Sequence, residues 1–100
     1  MRRVVITGIG TVNALAQDVP GTLQAFRQGK CGIGPLTFRD VDRLSIRIGA
    51  EVRDWRPDLL FPAGELPLYD RVTQYALAAA AEAVAMAALP SGLGSRGGVI

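Results

Sequence analysis

The chain contains no histidine, one cysteine (Cys31) and one lysine (Lys30). Without histidine, these residues by themselves can assemble neither a Cys/His zinc site nor a Ser/His/Asp triad nor a Cys/His dyad. One cysteine makes no internal disulfide framework, which points to a reducing cytoplasm. With a single lysine and scattered arginines there is no basic stripe for a phosphate backbone, although 11 basic against 9 acidic residues give a formal net charge of +2. No nucleic-acid partner is therefore expected. A secretion signal is lacking too: the apolar run after Met1-Arg2-Arg3 is only Val4-Val5-Ile6 before Thr7-Gly8 breaks it.

What is present is a composition that wants a core. Of the 100 residues, 49% are hydrophobic and only 20% charged, which excludes a disordered tail. The length suits one small domain or a part of one. Val4-Val5-Ile6, closed by Thr7-Gly8-Ile9-Gly10, reads as a strand buried on both faces in a parallel sheet. Asp18 as N-cap, Pro20 in the first turn and Gly29 as terminator predict a helix over Val19–Gln28. Cys31-Gly32-Ile33-Gly34-Pro35 reads as a glycine-rich turn. Ile46, Ile48, Ala50 and Val52 alternate with Arg47, Gly49, Glu51 and Arg53, predicting a half-exposed strand near a sheet edge or in a surface hairpin. Trp55–Pro67, with three prolines, reads as a loop whose Leu59, Leu60 and Phe61 pack against something.

Asp70–Leu89 is nearly half alanine and predicts a long helix. After Gln74 its only charged or amide side chain is Glu82, so it has no polar face and belongs inside a larger body. Its apolar part, Tyr75–Leu89, is too short for a membrane span and has Glu82 in its middle. Glu82 is expected to pair with an arginine or amide of an adjacent segment, with the stretch beyond Ile100 as one place to find it. Gly98-Val99-Ile100 reads as the start of another buried strand. Together these features suggest the front portion of a bigger fold.

The motifs with chemical potential are weak. Gly8-Ile9-Gly10-Thr11-Val12-Asn13 after a strand is reminiscent of a dinucleotide-binding turn, but Asn13 replaces the third glycine and no acidic residue follows at the ribose position. A bend that brings Gly8 and Gly10 close to neighbouring backbone is the favoured alternative. Cys31 beside Lys30 could be an activated thiol, yet no base stands with it, so it is not proposed as a nucleophile. Asp40, Asp42, Asp54, Asp58 and Glu65 alternate with Arg39, Arg43, Arg53 and Arg56 as on a solvated face. No metal and no cofactor is assigned.

Three blocks, in order, resemble the amino-terminal quarter of β-ketoacyl-acyl carrier protein synthases: Arg2-Arg3-Val4-Val5-Ile6-Thr7-Gly8-Ile9-Gly10, then Gly29-Lys30-Cys31-Gly32-Ile33, then Tyr69-Asp70-Arg71-Val72-Thr73-Gln74-Tyr75-Ala76-Leu77-Ala78-Ala79-Ala80. Polyketide ketosynthases begin similarly. The resemblance implies a thiolase-like α/β fold of layered α/β/α/β/α form, with residues 1–100 as an incomplete N-terminal portion, and a homodimer. It implies a cytoplasmic acyltransferase of fatty acid or polyketide synthesis, taking acyl and malonyl thioesters from an acyl carrier protein and using one cysteine and two histidines. None of those three lies in these residues; they are expected beyond residue 100, and Cys31 does not match the nucleophile position. The alternatives are a non-catalytic ketosynthase-like partner that sets chain length, and a nucleotide-binding module built on Gly8 and Gly10.

Overall fold

The computed structural model describes all residues from Met1 to Ile100. Its elements are a helix α1 (Val19–Arg27), a strand β1 (Ile33–Pro35), a strand β2 (Ile48–Ala50) and a long helix α2 (Arg71–Ala87), with short 3₁₀ turns between them. Helix α1 begins where the sequence provides for it: Asp18 is extended and its carboxylate accepts the Gly21 N–H, while Pro20 lies in the first turn. Gln28 is the C-cap and Gly29, at φ 64°, takes the left-handed conformation that releases the chain. The sequence-based boundary is thus one residue too long.

β1 and β2 form an antiparallel two-stranded hairpin with Ile33 opposite Ala50 and Pro35 opposite Ile48. Leu36 N–H donates to the Arg47 carbonyl and extends the ladder by one bond. The alternation over residues 46–52 does mark a surface hairpin strand, although only Ile48–Ala50 pairs regularly. Part of the presumed turn, Ile33–Pro35, is its partner strand. Pro35 offers no donor to the ladder and suits an edge position. The Trp55–Pro67 stretch contains 3₁₀ turns at Pro57–Leu59 and, overlapping its end, Leu66–Leu68. Phe61 stacks obliquely on Tyr69 at 5.8 Å, but Leu59 and Leu60 remain exposed.

α2 starts at Asp70, whose side chain accepts the Thr73 N–H at 2.8 Å, and ends at Ala88, forced to φ 50° in the absence of a terminal glycine. Hydrogen bonding from Thr73, side chain and then backbone, holds the Asp70 carboxyl below the usual carboxylate range. Tyr75, Ala78, Ala79, Glu82, Ala83 and Ala87 form the half-buried stripe, at the spacing of one helix face. Leu77 and Val84, off that stripe, are exposed, and so is Met86, which continues it one turn past Glu82. Nothing polar occupies that outer surface, in keeping with a helix that needs further cover.

Two expected strands are absent. Val4-Val5-Ile6 has no ladder partner, and its first residue is 97% exposed. Val99 and Ile100 are equally unpaired. The reason is common to both: a strand exists by hydrogen bonding to a neighbour, and the only strands here pair with each other. Just Ala25 and Gln74 are buried, and the radius of gyration is 16.8 Å, against about 13 Å for a compact 100-residue domain. These residues form an open layer.

Candidate functional site

The densest polar arrangement lies where the N-terminal segment, α1 and α2 meet. It begins with a close approach of backbones. A Cβ built on Gly8 would lie 2.0 Å from the Ala83 carbonyl oxygen, and one built on Gly10 would lie 1.8 Å from that of Ala79. Two residues of extended chain advance about 6.6 Å and four residues of helix about 6 Å. Glycines spaced by two therefore match alanines spaced by four. Both partners lack bulk, and the segment runs antiparallel to the helix in contact with its backbone.

That contact carries Thr11 to Glu82. The Thr11 N–H donates to Glu82 Oε1 at 3.0 Å, and the Val19 N–H, at the first residue of α1, donates to Oε2 at 2.8 Å. The partners of Glu82 are backbone amides of adjacent segments within residues 1–100, so no partner beyond Ile100 is required. An arginine is not needed, because two N–H donors and the positive end of α1 satisfy the carboxylate. Asp18 and Glu82 thus serve the same helix N-terminus from two different elements.

Beside this tie, Asn13 closes the connecting loop. Its Oδ1 accepts from Leu15 N–H at 2.8 Å and Ala16 N–H at 3.1 Å. Its Nδ2 donates to Thr11 Oγ1 at 3.0 Å and to Thr22 Oγ1 at 2.9 Å, while the Thr22 hydroxyl donates to the Asp18 carbonyl. Sequence reasoning took Asn13 only as a missing glycine. The signal it overlooked is the side chain's habit of bonding backbone two and three residues ahead. The contacts of Val19 and Thr11 with Glu82 rest on backbone groups and leave no signal in residue type.

This geometry decides between the two readings of Gly8 and Gly10. Their open side faces the α2 backbone, and the helix N-terminus that would receive a pyrophosphate is already flanked by Asp18 and Glu82. An added anion would meet two carboxylates, so the close-packing reading holds and the nucleotide module is set aside.

The other candidates stay apart. Cys31 is exposed, with its Sγ 4.0 Å from the Ile33 carbonyl. The carboxylates at 40, 42 and 58 make solvent-exposed ion pairs with Arg39, Arg47 and Arg56. The Arg56–Asp58 pair is bidentate, and it raises the arginine's pKa and lowers that of the aspartate. The Asp54 carbonyl, with that of Arg53, accepts from Gln17 Nε2, tying the hairpin's end to the loop before α1. No three carboxylate or thiol groups converge as a metal site would require. No helix is long and apolar enough to cross a membrane. The second polar contact of note is buried Gln74, which accepts from Trp55 Nε1 at 2.8 Å and donates to the Tyr69 carbonyl at 3.1 Å. The Trp55 ring meets Tyr75 edge to face at 4.9 Å.

The arrangement ties the N-terminal segment, α1 and α2 together through close-packed backbone and one carboxylate. Comparison with known proteins says which architecture it joins. The 3-oxoacyl-(acyl-carrier-protein) synthase 2 of Coxiella burnetii is 39% identical over 82 residues, covering 82% of this chain and 20% of that protein. Nodulation protein E of Rhizobium sp. strain N33 is 38% identical over 88 residues, covering 88% and 22% respectively. The solved structure of the ishigamide ketosynthase/chain length factor superposes with a TM-score of 0.73 at 33% identity, over 89% of this chain and 22% of that one. The chain thus spans about a fifth of the length of the relatives it matches. Residues 1–100 in their entirety match the family described as β-ketoacyl synthase, N-terminal domain, and the chain belongs to that family.

Proposed function

We propose that these residues are the N-terminal portion of a 3-oxoacyl-(acyl carrier protein) synthase acting in fatty acid or polyketide synthesis. The observation that carries this reading is the match of all 100 residues to the family, joined to the identity with a named synthase. The reaction follows from the family. A cysteine thiolate outside these residues attacks the acyl thioester and releases the carrier thiol. Two histidines assist loss of carbon dioxide from malonyl-carrier protein, and the resulting carbanion attacks the enzyme-bound thioester, expelling the cysteine thiolate and leaving the 3-oxoacyl product on the carrier protein.

Within that enzyme, the part of residues 1–100 is architectural. α2 is an interior wall in a thiolase-like α/β/α/β/α arrangement, and the Val4–Ile6 segment is a strand of its sheet once neighbouring strands pair with it. The exposed Leu77, Val84 and Met86 support this, since an apolar helix surface of this extent is stable only under cover. The protein is placed in the cytoplasm, as a homodimer receiving acyl and malonyl groups from an acyl carrier protein.

A second reading has its own support. The solved relative pairs a ketosynthase with a chain length factor, and the front end of a non-catalytic partner would look the same. Incubating the purified full-length protein with acyl- and malonyl-carrier protein separates the two. The synthase reading expects an acyl adduct on a cysteine by mass spectrometry and a 3-oxoacyl product two carbons longer. Absence of adduct and product from a folded protein that activates a co-purified ketosynthase establishes the partner reading. Absence of all three removes both.

A further inference from the structure

We draw no further inference here: the strongest candidate, the open groove between the β1–β2 hairpin and the first turn of α2, lined by Thr37, Glu51, Arg53, Trp55 and Arg71, carries nothing because nothing in the structure shows what occupies or covers it.

Discussion

The two glycine-bearing regions differ in what they touch. At the seam between the N-terminal segment and α2, the space a Cβ would need at Gly8 and Gly10 is filled by main-chain carbonyls, which cannot turn aside. In the β1–β2 hairpin, Gly49 faces the tip of the Leu36 side chain at 3.1 Å, and Gly34 faces the Arg53 guanidinium at the same distance. Those are flexible ends that can yield. The first region is fixed by backbone geometry, whereas the second is a surface excursion whose neighbours can rearrange.

The strongest way to break this contrast is to isolate it. Expressed alone, residues 1–100 should aggregate or remain molten, binding hydrophobic dyes without a cooperative melt, because most large apolar side chains are exposed. A sharp, reversible thermal transition in a monomeric sample would contradict the assignment of α2 as a wall. In the intact protein, Gly10→Ala should cost about 3 kcal/mol or more in denaturant unfolding, since overpacking against a carbonyl forces the segment off the helix. Gly49→Ala should cost less than about 1 kcal/mol, because a leucine tip moves aside readily. Equal costs would erase the distinction between the two regions.

Next in size is the carboxylate tie. Glu82→Ala should destabilise the intact protein by about 2 kcal/mol, because it leaves two amides without their charged acceptor. Glu82→Gln, which keeps one acceptor oxygen, should cost roughly half of that. Hydrogen exchange at Thr11 and Val19 reports the same loss locally, and unchanged protection of both amides in the alanine variant would refute the tie. A smaller effect belongs to Asp70. Its pKa is depressed in the folded state, so its contribution is complete above the ordinary carboxylate range and is lost as pH falls through the lowered value. Asp70→Asn should therefore flatten the acid side of the stability profile. The smallest effect is expected at Arg56→Ala, where the pair with Asp58 is solvent-exposed and the unfolding midpoint should not move.

Helices were the most legible part of the fold. Asp18, Pro20 and Gly29 bracket α1, and the alanine run with Asp70 gives α2 to within two residues at either end. Such signals are local, so a single segment suffices to reveal them. Val4–Ile6 and Gly98–Ile100 failed as strands for the opposite reason, since their pairing depends on chain elsewhere. At the joint, Gly8 and Gly10 were rightly read as close-approach positions. Asn13 stands out in the sequence only as a missing glycine, and Glu82 as a carboxylate that needs a partner. Its acceptor role was written in its side chain, while the identity of its donors was not, because every non-proline residue carries the same N–H.

That last point has an evolutionary consequence. A carboxylate gripping peptide groups asks only for an N–H at residues 11 and 19, so its hold can persist while these positions change identity, residue 11 being tied besides only through its hydroxyl's contact with Asn13. Substitution at 82 would have to be compensated, if at all, by moving main chain and not by exchanging a partner. Paired-substitution signals between 82 and either position should accordingly be faint across related sequences, even though the three are in direct contact.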